Sequence, residues 1–543
     1  MYINILKGFK MNSKYLFFLI IASIVFGFCG DSTDKEIFRV GDVIRLVDEG
    51  KFKNAENLIH NGITSDLYNK VEKWDLQFQM ERMKRIKMDF RLKREDVEKR
   101  LKEILPDVTT GQINKWTEDG SLENYKIDGE VWFFARCVPN LFRINKDAAK
   151  LRDEIDPPSG EFNITETRKA VVKSVVDYYK NSTGEKIRKQ LEKGTLNNYG
   201  FMKKNYSDYK FNMKYTLSVK ENVTPVNHTV SAWLPFPREN YRQSDIKLTG
   251  ASQEDYIIAP NDFLHRTVYF QKKAQSGEPT KFEIEFEYTT HPFVVFVDPD
   301  RVDEYDVSSP LYKEFTSQRL PHIVFTEELR ALGREIVGDE KNPYRKMKNI
   351  LKWIHDNRPW ASAREYSTIS NISMYCFTSG HGDCGIQTLL LMTLARISGV
   401  PVKWQSGWVT PPDGKNLHDW LEMYIPPYGW LPVDASGGLQ EWSKEDITKI
   451  LNEIYGKEYN KILQNANLAI DELQERILWY NLGSVNPYRM VVNDDFSQEL
   501  FPAKRWHRSE PVDFQRGEAE YLGENLYFDK WRYSLKILDI KIN

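Results

Sequence analysis

The sequence predicts a multidomain α+β protein: a helical N-terminal region, an antiparallel β-sandwich, then a mixed α+β core. Three observations carry this. At 543 residues the chain is too long for one ordinary hydrophobic core, so three or four units are expected. Apolar residues recur at helical spacing up to about residue 200 and at the strand spacing of two from there to about residue 297. Beyond that point the periods mix, and a long apolar helical run is followed at once by strand-like segments.

Composition narrows the function classes. With 41% hydrophobic and 13% aromatic residues, these units can bury cores, which excludes a disordered chain. Basic and acidic side chains nearly balance, 76 against 78, so no global field recruits nucleic acid or an anionic surface.

Residues 1–30 read as an export signal. Lys7, Lys10 and Lys14 lead into Tyr15 to Phe28, a charge-free run too short for a membrane-spanning helix, and Met11 is a second possible start. Cys29 ends the run in the manner of an acylated lipoprotein cysteine, although Phe28 stands where a small residue is usual. Lipid anchoring, plain secretion and an uncleaved anchor all stay open. The expectation is an exported protein, in the periplasm or at the outer membrane or cell surface, whose only membrane association is this segment. Cys137, Cys376 and Cys384 remain, too few for a disulfide framework, and the first two read as core thiols.

Residues 31–200 are polar and helical. Val43-Ile44, Leu46-Val47 and Leu58-Ile59 around Glu49-Gly50-Lys51 suggest a helical hairpin. Leu92 to Leu105 is amphipathic and Pro106 breaks it, after which Thr110 is placed to cap Gln112 to Trp116. The helix-turn-helix look does not imply DNA: Arg82 to Arg100 intersperses acids with bases, the mark of a solvated face.

Residues 201–297 alternate. Tyr215 to Val219, His228 to Leu234, Val268 to Gln271 and Phe282 to Tyr288, with proline and glycine turns between, predict the sandwich. His228, His265 and His291 lack metal-ligand spacing and read as surface or packing residues, so no metal or cofactor is expected.

Residues 298–495 form the core. Val297 to Pro310 reads as an acidic linker rather than a calcium site, since no loop with a glycine turn positions its oxygens, and Glu327 to Val337 and Arg345 to Asn357 read as helices. In Gly380-His381-Gly382-Asp383-Cys384-Gly385 the glycines allow a sharp approach, Asp383 can cap, and Ile386 to Ile397 is a buried helix that Gly399 stops. Cys384 thus falls in a first helical turn, where the dipole favours thiolate, so a low-pKa nucleophile is expected. Its N–H would supply one oxyanion donor, with Trp360 and Tyr375 as candidates for the second. Val402 to Val409, Leu417 to Ile425 and Trp430 to Asp434 are strands. His418, Trp420, Glu422 and Tyr424 share one face of the second, so Asp419 is expected to face away and be structural. Asp434 nears His418 if the hairpin register allows it. His381 reads as a mobile loop residue, and Trp404, Trp408, Trp420 and Trp430 as strand packing or a groove lining. A helical insertion at about 441–480 carries apolar stripes and suits either a lid or extra scaffold. Residues 496–543 alternate again and are expected to close a sheet.

The segments Gly382-Asp383-Cys384-Gly385, Ala395 to Pro401, His418-Asp419-Trp420 and Pro432-Val433-Asp434 resemble the transglutaminase-like superfamily. That resemblance implies a papain-like α+β core with a Cys-His-Asp triad, placed here on Cys384, His418 and Asp434. It implies thiol-dependent acyl transfer through a Cys384 thioester on a protein, peptide or peptidoglycan-like amide. The family also contains inactive members, so a silent envelope binding or scaffold protein is the alternative.

Overall fold

The computed structural model describes residues 38–180, 183–191 and 206–542, so the leader and Cys29 lie outside the described residues. From Val40 onward the chain forms one unit. It opens with α1 (Val40–Asp48), α2 (Phe52–Thr64) and α3 (Lys70–Asp89), followed by β1 (Phe90–Leu92), α4 (Arg94–Ile104) and α5 (Thr110–Glu118). The cap of α5 is Thr109, one residue earlier than expected, because its hydroxyl and the Gln112 side chain close a reciprocal capping box. Next come β2 (Asn124–Ile127), β3 (Glu130–Phe134), α6 (Cys137–Ile144), α7 (Lys146–Ile155), α8 (Glu166–Lys180) and α9 (Thr183–Leu191). The small sheet β1-β3-β2 was not legible, since strands of three to five residues leave too few alternations to see.

The sandwich strands are β4 (Tyr209–Val219), β5 (Thr229–Pro235), β6 (Gln243–Ala251), β7 (Tyr256–Ile258), β8 (Thr267–Lys273) and β9 (Thr280–Thr290). The core follows with α10 (Pro310–Phe315), α11 (Glu327–Val337), α12 (Pro343–Asn357), α13 (Ile372–Ser379) and α14 (Cys384–Ile397). Its strands β10 (Val402–Val409), β11 (Asn416–Ile425) and β12 (Gly429–Val433) precede α15 (Lys444–Tyr455), α16 (Tyr459–Asn465), α17 (Ile470–Leu478) and β13 (Arg489–Asn493). The chain ends with β14 (Glu518–Tyr521), β15 (Glu524–Leu526) and β16 (Trp531–Ile542). The core sheet is β12-β11-β10-β13, and α14, buried along nearly its whole length, packs on it.

The tail completes the sandwich. β14 pairs with β5 and β16 with β4, giving sheets ordered β15-β14-β5-β8-β7 and β16-β4-β9-β6. Trp408, Met490 and Val492 of the core sheet join the same apolar cluster as Tyr215 and Phe286 of the sandwich. Val172, Val175 and Val176 of α8 in turn join the cluster built on α14. Shared cores of this kind make the segments one body, because separating them would return that apolar area to water.

Candidate active site

The loop before α14 is held by its backbone. Gly380 ends α13 with φ +75°, the left-handed conformation glycine adopts without strain. The Ala361 N–H donates to the Gly382 carbonyl at 3.1 Å. Asp383 caps α14 by accepting from the Ile386 N–H at 3.2 Å. Cys384 is the first residue of the helix, and glycine must follow it: a Cβ at Gly385 would lie 2.2 Å from Tyr366 Oη and 2.7 Å from Asp419 Oδ2.

Asp419 faces away from His418, as expected, but toward Cys384, so it is not merely structural. The Cys384 thiol donates to Asp419 Oδ2 at 3.3 Å, and Gln515 Nε2 donates to Asp419 Oδ1 at 2.6 Å and to the His418 carbonyl at 2.9 Å. Strand alternation was read correctly. Asp419 leaves the His418 face, but the face it occupies is the one covered by α14, as with its neighbours Leu421 and Met423. Tyr366 Oη accepts from the Gly385 N–H at 3.1 Å, donates to Asp383 Oδ1 at 2.8 Å and lies 3.2 Å from Asp419 Oδ2.

This changes the electrostatics of the thiol. Burial, then the charges of Asp419 and Asp383, push Cys384 well above an ordinary thiol, overturning the low-pKa expectation. The helix dipole is present, but burial, the Asp419 carboxyl at 3.3 Å and the nearby Asp383 charge outweigh half a charge spread over a helix end. Burial also pushes Asp383 up to about 6 and Asp419 well above its usual range.

On the other face of β11, His418 Nε2 lies 2.8 Å from Asp434 Oδ2. The register Leu421↔Val433 places Asp434, the residue after β12, beside the His418–Trp420 row. Asp434 also accepts from the Gly437 N–H at 2.8 Å and from Arg489. Burial pushes the Asp434 carboxyl up to about 6 and the Arg489 guanidinium down to about 9, so each charge depends on the other. Trp420 stacks on the imidazole with ring centres 6.1 Å apart and donates its Nε1 to Gln405 at 2.9 Å.

Arg489, Tyr366, Gln515 and the true role of Asp419 were missed by sequence reasoning. Only Asp419 left a signal, a charged residue flanked by the buried-type pattern of β11; the other three come from segments whose approach is set by tertiary folding. The N-terminal helices fix the Tyr366 segment: Arg82 donates to the Thr368 carbonyl, and Asp89 accepts from the Glu365 N–H at 2.9 Å. From the C-terminal segment, Arg516 clamps Glu365 through two bonds at 3.0 and 2.6 Å.

Tyr375 donates its hydroxyl to Glu123 at 2.8 Å, which removes it as an oxyanion donor, and Trp360 is 40% exposed under Arg143. His381 is buried against Tyr375 rather than standing on an open loop. His265 and His291 are fully buried and His228 is exposed. Trp404, Trp408 and Trp420 are buried strand-packing residues, and Cys137 and Cys376 are buried free thiols pushed up to about 12 by burial.

Residues 330–435 match the transglutaminase-like superfamily core. An uncharacterized protein, YebA of Bacillus subtilis, is 21% identical over 130 residues, which is 21% of this chain and 18% of YebA. A solved candidate cysteine protease from Cytophaga hutchinsonii superposes with a TM-score of 0.37 at 15% identity, covering 62% of this chain and 92% of that one. The periplasmic domain of TgpA from Pseudomonas aeruginosa superposes at 0.23 with 11% identity, covering 47% and 92%. The match contains Cys384, His418 and Asp434, and the chain thus carries a domain of the transglutaminase-like superfamily.

Proposed function

We propose that this chain is an exported thiol-dependent acyl-transfer enzyme acting on peptide or amide substrates through a Cys384 thioester. The observation that carries the reading is the His418 Nε2 to Asp434 Oδ2 bond of 2.8 Å, made by the strand neighbour of Asp419, whose carboxyl the Cys384 thiol meets at 3.3 Å. That bond commits Nε2 and leaves Nδ1 to take the thiol proton. The S–H bond then breaks toward His418, the sulfur electron pair attacks the acyl carbon, and the imidazolium returns the proton to the departing amine. Asp434, supported by Arg489, stabilises the imidazolium. Water or an amine then resolves the thioester. The place of action outside the cytoplasm rests on the basic and apolar leader at Lys7 to Phe28. The likeness of residues 330–435 to the transglutaminase-like core supports the chemistry.

The test is incubation with glutamine-containing peptides and a fluorescent primary amine, following ammonia release and amine incorporation. Activity abolished in Cys384→Ser and in His418→Ala supports the reading; activity that survives either substitution contradicts it. A second reading, a silent binding protein of the same fold, is favoured by one observation: the resting thiol bonds to a carboxyl group, not to an imidazole.

A further inference from the structure

The surroundings of Cys384 contain a hydrogen count that does not close with ionised carboxylates. Tyr366 Oη carries one hydrogen yet touches Asp383 Oδ1 at 2.8 Å and Asp419 Oδ2 at 3.2 Å. The Cys384 thiol brings one more, to Asp419 Oδ2. Two hydrogens serve three contacts, so all three are filled only when the two carboxyls hold one extra proton between them. Gln515 closes the other side of Asp419, and the Gly385 N–H occupies the remaining side of Tyr366 Oη. Asp419 is 2% exposed, so water does not supply the missing partner from outside.

We propose that Asp419, coupled through Tyr366 to Asp383, is a positioning residue that holds Cys384 as a protonated thiol in the resting site and so sets the pH at which the nucleophile forms. The proposal rests on Cys384 being the nucleophile of the acyl-transfer reading. The charged and titratable groups around the cluster come from five segments. Asp383 is the N-cap of α14, and Asp419 and His418 lie on β11. Tyr366 and Glu365 come from the segment before α13, and Arg489 from β13. Asp513 and Arg516 come from the C-terminal segment, where the Arg516 charge is taken by Glu365 and Glu510. Of these, Asp419 alone touches the sulfur. With one proton shared, the Asp383–Asp419 pair still carries one negative charge beside the sulfur, and that charge opposes a thiolate, so the S–H proton is retained until substrate or His418 draws the thiol off Asp419. The device keeps a partly buried cysteine from being alkylated or oxidised between turnovers, because both reactions need the thiolate.

The test is the pH profile of iodoacetamide labelling at Cys384, read by mass on the intact full-length protein. Asp419→Asn is close to isosteric and replaces the opposing carboxylate with an amide that can donate to sulfur. Its labelling midpoint is expected at least one unit lower, about tenfold faster labelling at pH 7. Asp419→Ala, which removes the carboxylate without adding a donor, is expected to shift the same way, and Asp419→Glu to return toward wild type. A residue that merely packed would change stability and leave the midpoint alone. An unmoved midpoint in folded Asp419→Asn and Asp419→Ala overturns the proposal, as does a shift upward. The two readings fail separately. A midpoint that follows Asp419 in a protein with no amide-directed activity sinks acyl transfer and keeps the thiol control. Activity that needs Cys384 with an unmoved midpoint does the reverse.

Discussion

His418 Nε2 and Asp434 Oδ2 are 2.8 Å apart, and Arg489 donates to the same carboxylate oxygen. One oxygen therefore orients the imidazole and neutralises a buried cation. These two tasks can be separated by mutation.

His418→Ala is expected to lower the rate of acyl-enzyme formation by about a hundredfold or more, the usual worth of a positioned base. Asp434→Asn should also slow it, because an amide no longer fixes the tautomer that leaves Nδ1 free. Single-turnover kinetics read this. A wild-type rate in His418→Ala would remove it from the mechanism.

Arg489→Met addresses the second task. It leaves a buried Asp434 without its cation, and the expected cost is about 3–5 kcal/mol in urea unfolding. Asp434→Asn in the same background should recover part of that loss, since the unpaired charge is gone. A loss below about 1 kcal/mol would show that solvent reaches the pair.

Gly385→Ala should be destabilising by about 1–3 kcal/mol, the range for overpacking, and should slow the site as well. Its Cβ would enter the space of Tyr366 Oη and Asp419 Oδ2, at 2.2 and 2.7 Å. Gly380→Ala, with open space around its Cβ but φ +75°, meets no such clash and tests backbone strain alone. Equal effects on acylation from the two substitutions would contradict the contact argument.

Stability should fall as pH rises through the range where Asp89 ionises in the folded state. Burial, with Glu365 next, pushes this carboxyl from 3.8 up to about 7. A raised folded value means the native state binds the proton more tightly than the unfolded chain. Its stabilising effect is therefore full below about 4 and lost as pH climbs toward 7, a few kcal/mol at most. Asp89→Asn keeps an oxygen for the Glu365 N–H and should flatten that slope in melts between pH 4 and 7. An unchanged slope would mean Asp89 is not the group that titrates.

Cys384, His418 and Asp434 were readable because each sits beside a local pattern: a cap and glycines at Cys384, period-two alternation at His418, a turn at Tyr428-Gly429 before the strand leading to Asp434. The register that joins the last two could not be read, since it depends on the pairing Leu421↔Val433. Nor could the sulfur's true partner. Periodicity separates the two faces of a strand but does not say which face a helix will cover, and Asp419 lies under α14. Tyr366, Arg489 and Gln515 reach the site from segments far apart in the sequence. The joining of the tail to the sandwich is of the same kind, because a strand's sequence does not name its neighbour.

The most direct measurement is intact and peptide mass spectrometry of the full-length protein after exposure to cell-envelope material. The account predicts a mass increase confined to the peptide carrying Cys384, released by hydroxylamine as a thioester and absent in Cys384→Ser. A Cys384 that iodoacetamide reaches, yet that gains no acyl adduct under any of these conditions, would contradict it.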